Sequence, residues 1–500
     1  MAENNPQAQP QGTPSAAAAE VSEFESLLKK EFKPKTDERR SAIRTAVQTL
    51  AEQALAATTL ISDDAVKTIE AIIAEIDRKL SQQMNLILHH DNFKSLEGTW
   101  RGLHHFVTNT ETDEKLKIRV FNISKKELSR AIKKYKGVAW DQSPLFKKVY
   151  EAEYGTLNGQ PYGVLVGDYY FDHSAPDVEI LSGVAQIAAA AHAPFISAAA
   201  PNLLGLESWQ DLGNPRDLTK TVQTPEYAAW KSLRSSADAM YLGLTLPRFL
   251  ARLPYGAKNN PVEEFDFEED AEGPNHSKYV WSNASYAMAT NITRAFKLYG
   301  WCTQIRGIES GGTVEGLPVH TFPTDDGGVD MKCPTEYGIP WRREAELSKN
   351  GFMPLVHAKN ADYAAFMGAQ SLYQPKAYDD PDATANENLS ARLPYMFAIC
   401  RFAHYLDKMV YEKVGTFKER GDVEDWLNKW IAHYVVTDPN ASDEVKAEYP
   451  LASAEVKVEE IEGNPGYYKA TFALRPHYQL EGINVSLRLV SKLPSVKKGS

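Results

Sequence analysis

From Pro161 to Ala200 the chain spells out strand, helix and strand in succession. PYGVLVGDYYFD is an apolar, β-branched and aromatic run; PDVEILSGVAQIAAAA opens with proline and then carries helix formers; PFISAAA returns to a short buried strand. Two strands joined through a helix pair in parallel, so this order constrains the chain to a helix-covered sheet. Alternation continues through the helix TPEYAAWKSLRSSA, the apolar run MYLGLTLP and the helix WSNASYAMATNITRAFKLYG. The fold class is α/β, or α+β overall once the terminal regions are counted.

Ile180 to Leu206 contains no acidic or basic side chain apart from His192, yet Pro194 would break a membrane-spanning helix near its middle. A buried helix followed by a buried strand explains the run, and no integral membrane segment is expected. With 500 residues, more than one structural unit is expected. The formal net charge of -11 argues against general nucleic-acid binding. Cys302, Cys333 and Cys400 are odd in number and lack C-x-x-C spacing, so neither a disulfide framework nor a cysteine metal site is expected. Residues 1–22, rich in Gln, Pro and Ala, have no signal-peptide h-region and read as a disordered tail in a reducing cytoplasm.

A helical arm is expected over 23–60, with Leu27, Leu28, Ile43, Val47 and Leu50 on apolar faces. It has too little sequence around it to bury that stripe alone. Two amphipathic helices should follow, broken near Asp91-Asn92, with Ile69, Ile72, Ile73, Ile76 and Leu80 striping the first and Phe93, Leu96, Trp100, Leu103 and Val107 the second. His89-His90 and His104-His105 cannot chelate as adjacent pairs on a helix, so packed or surface histidines are expected.

Leu116, Ile118 and Val120 alternate with Lys117, Arg119 and Phe121, which is strand periodicity. Ser124 and Glu127 form a capping box that opens the next helix. Nine basic residues lie between Lys115 and Gly137 against Glu127 alone, a solvated face or a dock for an acidic partner. The opposite sign is concentrated in VEEFDFEEDAEG, whose Glu263, Glu264, Asp266, Glu268, Glu269, Asp270 and Glu272 are expected on an exposed loop.

Catalysis has two weak candidates. Asp168, Asp172 and His173 cluster at the end of a predicted strand, and the glycines of GIESGGTVEGLP could cradle a phosphate. Neither matches a phosphate-binding or catalytic spacing, so no catalytic residue, cofactor or metal is expected.

Ser390 to Val414 is apolar nearly all round and must be enclosed; within it Arg401, His404 and Asp407 are read as a structural ion pair rather than a relay. Asp422, Glu424 and Asp425 begin a shorter helix striped by Val423, Trp426, Leu427, Trp430 and Tyr434. Strands are expected at Glu455–Ile461, Tyr467–Leu474 and Ile483–Leu489, with no helix after them, so their edges should be completed by strands of other subunits.

The motif F-x-x-L-E-x-x-W-R-G-L-x-x-x-V at Phe93, Leu96, Glu97, Trp100, Arg101, Gly102, Leu103 and Val107 resembles a signature of the large sheath subunit of bacterial type VI secretion systems, the TssC/VipB family. IRGIESGGTVEGLPVHTF, GFMPLVHAKNADYAAFMGAQSLYQPK, LSARLPYMFAICRFAHYLDKMVYEKVGTF and PGYYKATFALRPHYQLEGINVSLRLVSKLP resemble further segments of that family, in family order.

The resemblance implies a contractile-tail-sheath-like fold: the 23–60 arm paired with a small sheath subunit of TssB/VipA type, an α/β body over 61–385, and an inner, tube-facing domain over 386–500. It implies a helical polymer around an inner tube of Hcp, anchored on a baseplate, with a ClpV-type AAA+ unfoldase recycling the contracted form chiefly through the small subunit. Asp422, Glu424 and Asp425 are the candidate inner-tube contacts. Tyr468, Ala470, Phe472, Leu474, Ile483, Val485, Leu487 and Leu489 are the candidate interchain strand positions. A phage-like sheath built from one polypeptide, or an α/β enzyme using Asp168, Asp172 and His173, are the alternatives. If the terminal strands are shared between subunits, Val485→Pro deletes a ladder donor; negative-stain microscopy should then find no tubes while the heterodimer still co-purifies.

Overall fold

The computed structural model describes Ser41, Thr45 and residues 65–214, 217–263, 265–271, 273, 275–324, 326–413, 420–460, 468–477 and 479. The 23–60 arm, with Leu27, Leu28, Ile43, Val47 and Leu50, and the strand positions Ile483, Val485, Leu487 and Leu489 lie outside the described residues. The chain divides into two compact units, one of Met1–Leu88 with Tyr255–Glu269, the other of His89–Pro254 with Asp270–Ser500.

The first unit holds helix α1 (Ala65–Leu88) and the segment Tyr255–Glu269. That segment corrects the reading of the acidic run as a uniformly exposed loop. Phe267 is buried, and buried Glu269 accepts the Tyr255 N–H at 2.8 Å, while Glu268 accepts from Ala257 N–H at 3.0 Å. Carboxylates that receive backbone donors substitute for a ladder, so acids can line a folded turn.

The second unit begins with α2 (Asp91–Thr108), capped by His90, whose Nδ1 accepts the Asn92 N–H. Next come α3 (Lys125–Lys134), β1 (Leu165–Phe171), α4 (Ala175–Ala190), β2 (Phe195–Ala199), α5 (Ala228–Arg234), β3 (Leu242–Leu246), α6 (Ala284–Tyr299) and β4 (Thr313–Val314). They are followed by α7 (Trp341–Lys349), β5 (Phe352–His357), β6 (Ala364–Phe366), α8 (Pro381–Ser390), α9 (Leu393–Lys413), α10 (Arg420–Ala432), α11 (Asp443–Glu448) and the hairpin strands β7 (Leu451–Glu460) and β8 (Tyr468–Pro476).

The main sheet runs β1-β2-β3-β5-β6-β4, with β1, β2, β3 and β5 parallel and β6 antiparallel to both its neighbours. Phe195, Leu242, Leu244, Leu246 and Phe352 face the layer that contains α4 and α5. Ile196, Met353 and Leu355 face the other way, onto α6 and the start of α9. The period-2 alternation of each strand thus supplies both cores of a three-layer α/β body. No helix of the described residues is long and apolar enough to cross a membrane.

The hairpin has a separate core. Val456, Val458 and Leu451 pack with Phe402, Leu406, Leu427, Ile431 and Trp301, so α9 and α10 cover one face. The expectation of uncovered strands is corrected here: the cover comes from helices earlier in the chain, which no local reading of the carboxyl terminus could show. Trp426 and Trp430 are partly buried in the same cluster.

Helix α2 overturns its own stripe. Gly98, Gly102 and Phe106 are buried, while Trp100 is 63% exposed, Leu96 56%, Val107 44% and Phe93 38%. A Cβ on Gly98 would come within 2.4 Å of the Trp281 carbonyl oxygen, and one on Gly102 within 2.5 Å of the Tyr286 ring. Ser282 donates to the Gly98 carbonyl at 2.8 Å, and Glu97 pairs with nearly buried Arg252 at 2.6 Å. Burial alone would raise the Glu97 carboxyl, but Arg252 and Arg101 hold it below its usual value. The small and charged face is therefore the seated one, because only there can the helix backbone approach closely enough for these bonds.

The segment expected as a strand at Leu116–Phe121 is neither helical nor bent and belongs to no sheet among the described residues. Gly98→Ala should destabilise the second unit by about 1–3 kcal/mol through overpacking against fixed backbone. Leu96→Ala should leave the free chain within about 0.5 kcal/mol of the parent, as a surface substitution does. Urea unfolding monitored by tryptophan fluorescence compares the two.

Candidate assembly surfaces

The groups that invite a catalytic reading are tied into the fold. Asp168 accepts from the Asn283 side chain at 3.1 Å. Asp172 Oδ1 receives the Ser174 N–H at 2.8 Å, at the start of α4. Burial opposes its ionisation, but Ser174 and Lys125 keep the carboxyl below its ordinary range. His173 stacks on Tyr227 with centroids 4.1 Å apart.

The glycine loop turns its carbonyls inward. Arg294 donates to the oxygens of Gly311 and Thr313 at 2.8 and 2.7 Å, and Asn291 donates to Gly312 O at 3.0 Å. A Cβ on Gly312 would sit 2.5 Å from backbone atoms of Gly307 and Phe366. These glycines serve close backbone packing. A phosphate cradle needs converging N–H groups, whereas here carbonyls converge on a guanidinium. Among the described residues, no group of three or more His, Cys, Asp or Glu side chains is placed to hold a metal ion.

Arg401, His404 and Asp407 part company on α9, correcting the expectation of an ion pair. Arg401 lies over the Phe296 ring at 4.4 Å and donates to Tyr405. His404 donates from Nε2 to Ala191 O at 2.9 Å, beside the rings of Tyr154 and His192. Burial pushes its imidazole down to about 4, with the Ala191 carbonyl opposing and His192 adding to the fall.

Three surfaces carry chemistry that is largely unused among the described residues. One is the exposed apolar row of α2, Phe93, Leu96, Trp100 and Val107, completed by half-buried Leu103. These positions follow the 3,4 spacing of a heptad seam, the pattern a second helix packs against. Another is the basic region around α3, where Lys125 is held by Asp177 at 2.7 Å and Lys136 by Glu179 at 2.7 Å, while Lys126 and Arg130 point to solvent or stay half-exposed.

The hairpin supplies the last surface, and its two edges differ. Along the outer edge of β7, Asn428 both donates to Val456 O at 2.9 Å and accepts Val456 N–H at 3.0 Å. Glu424 accepts Val458 N–H at 2.9 Å and Arg420 donates to Val458 O at 3.2 Å. Side chains of α10 thus occupy the ladder positions of that edge. Because Val456 faces Phe472 and Val458 faces Ala470, these are the non-hydrogen-bonded pairs of the hairpin. The backbone groups of Tyr468, Ala470, Phe472 and Leu474 consequently point away from β7. Among the described residues no strand lies beyond them.

Of the acids at the start of α10, Asp422 and Asp425 are exposed and Glu424 is half-buried on its bond to β7. Sequence reasoning missed Asn428 and Arg420. Their signal was the i, i+4, i+8 spacing of Arg420, Glu424 and Asn428, one face of a helix preceding two strands.

Among the described residues a strand edge and an apolar helix face are left without a partner, and comparison with known proteins gives the family. Residues 70–373 match the family model of the EvpB/VC_A0108 tail sheath N-terminal domain, and residues 382–493 that of the EvpB/VC_A0108 tail sheath gpW/gp25-like domain. The chain belongs to the VipB/EvpB tail sheath family.

It is 67% identical over 480 residues, 96% of each chain, to the type VI secretion system sheath protein TssC1 of Pseudomonas aeruginosa strain PAO1. Among solved structures, the anti-feeding prophage baseplate aligns over 63% of this chain and 67% of the other at 11% identity and a TM-score of 0.35. The contracted sheath complex of an extracellular contractile injection system, PVC, aligns over 62% and 68% at 9% identity, also with a TM-score of 0.35. This sheath protein is a structural component of the type VI secretion sheath.

The buried histidine gives the sheath protein a pH signature. Its folded pKa lies below the unfolded value of 6.5, so the unfolded chain binds the extra proton between them. Stability contributed by neutral His404 is present above pH 6.5 and is lost as pH falls to about 4. His404→Gln can still donate to Ala191 O without titrating. Its melting temperature should fall less than the parent's between those two pH values, measured by calorimetry.

Proposed function

We propose that this chain is the large subunit of a two-component contractile sheath, completed by a small sheath subunit and polymerised helically around an inner tube of Hcp type. The outer edge of β8, unpaired among the described residues, carries this reading. A strand of a neighbouring protomer or of the small subunit adds there, through the backbone groups of Tyr468, Ala470, Phe472 and Leu474. The family supplies the polymer; the open edge supplies the joint. Because α10 blocks the β7 side, addition is one-sided and the chain order in the shared sheet is set.

The N-terminal arm, through Leu27, Leu28, Ile43, Val47 and Leu50, pairs with the small subunit, and the exposed row of α2 offers a second helix-binding face. Exposed Asp422 and Asp425 face the inner tube, with Glu424 holding the helix end to β7. The assembly stands on a membrane-anchored baseplate in the bacterial cytoplasm. Shared strands keep protomers linked while the rigid α/β bodies reorient, and a ClpV-type ATPase returns the contracted form to subunits.

Co-expression with the small subunit should produce tubes in negative stain, and the chain alone should produce none. Ala470→Pro removes an N–H that points away from β7, so tubes should be lost while the melting temperature holds. Thr471→Pro removes an N–H used within the hairpin and should lower the melting temperature as well. Tubes from Ala470→Pro would place the joint elsewhere.

A further inference from the structure

Between α2 and α3 the chain contains a strand without a sheet. Leu116, Ile118 and Val120 alternate with basic Lys117 and Arg119, and Leu116–Asn122 is neither helical nor bent, yet no backbone N–H or C=O of the six residues from Lys117 to Asn122 has a hydrogen-bond partner among the described residues. The segment is nonetheless held at both ends. Asp113 accepts the N–H groups of Lys115 and Leu116 at 2.7 and 2.8 Å and is itself bound by Lys297 at 2.8 Å. At the other end Tyr169 donates to Ile123 O at 2.7 Å, and the Ser124 capping box starts α3. Midway, Lys117 donates to Gln160 at 3.1 Å, Arg119 binds Glu153 and Tyr162, and Ile118 packs against the cluster of Phe106, Tyr286 and Ala289. A row of ladder groups is thus fixed in place and left open, which is the geometry of a strand acceptor.

The side chains around it specify what fits. Val120 is 69% exposed and Phe121 52%, so the partner must bring apolar groups at alternate positions. Lys115, Lys117, Lys126 and Lys148 surround the segment, all exposed, and none of the four forms an ion pair among the described residues; Lys148 lies over the Phe121 ring at 5.5 Å. The intervening positions of the partner are therefore acidic.

This chain does not supply such a strand from its carboxyl terminus: 483–492, INVSLRLVSK, is free of acids. Its acidic run is already engaged, with Phe267 buried and Glu269 bound to Tyr255. We infer that Lys117–Asn122 is a docking edge for an extended segment of a different polypeptide in which acidic and apolar residues alternate. This joint is separate from the terminal hairpin and does not depend on how that hairpin is completed.

The test uses the full chain and a capped synthetic peptide alternating glutamate and valine, read by amide hydrogen exchange. The peptide should slow every second amide between Lys117 and Asn122 by about tenfold or more, the mark of a ladder formed on one edge. A peptide alternating lysine and valine should leave them unchanged. Val120→Pro should abolish the protection without lowering the melting temperature, since its N–H serves no bond inside the chain. Unchanged exchange with the acidic peptide overturns the inference, as does equal protection by both peptides. Protection that arises without peptide and grows with chain concentration assigns the edge to a second copy, and overturns the separate partner.

Discussion

One side-chain amide closes an edge of the terminal hairpin. Asn428 satisfies both backbone groups of Val456, and with Glu424 and Arg420 it closes the outer side of β7. A two-stranded sheet has two edges, and unpaired edges join other strands indiscriminately. Closing one with an intramolecular helix leaves the β8 side as the edge that is unpaired among the described residues. The same helix buries Leu427 and Ile431 under Val456 and Val458, so the blocked edge and the covered face come from one element.

A similar economy governs α2. Its glycines let the backbone approach Trp281 and Tyr286 closely enough for Ser282 to reach the Gly98 carbonyl, while Glu97 closes a buried pair with Arg252. Seating the small face leaves the large apolar side chains outside. In a monomer an exposed tryptophan flanked by leucine and phenylalanine costs solubility and contributes nothing to packing. Under the proposed assembly that row is the second helix-binding face. The open strand at Lys117–Asn122 follows the same logic with backbone groups in place of apolar ones.

The α/β body was legible because its signals are local. The run through β1, α4 and β2 alternates strand and helix, with proline opening α4, and Ser124 with Glu127 closes the capping box read from the letters. The edges and faces were less so. Periodicity marks an apolar stripe on α2 but cannot say whether this chain or a partner covers it, and Phe93, Leu96 and Trp100 stay exposed. Strand alternation at Leu116–Val120 is real, yet a ladder needs a second strand, which the described residues do not supply. Acids at Glu268 and Glu269 looked solvated because the donors they bind, Ala257 and Tyr255, lie more than ten residues away in the chain.

The amino-acid sequence by itself determined which elements form and which family the chain belongs to, because propensity, capping and motif order are properties of neighbouring residues. Tertiary structure alone decided which edges and faces stay open. That depends on groups distant in sequence arriving at the same place: α10 against β7, Trp281 against Gly98, Tyr169 against Ile123. Hydrogen-bond satisfaction is a property of the folded neighbourhood, and it separates a finished surface from one that waits for another molecule.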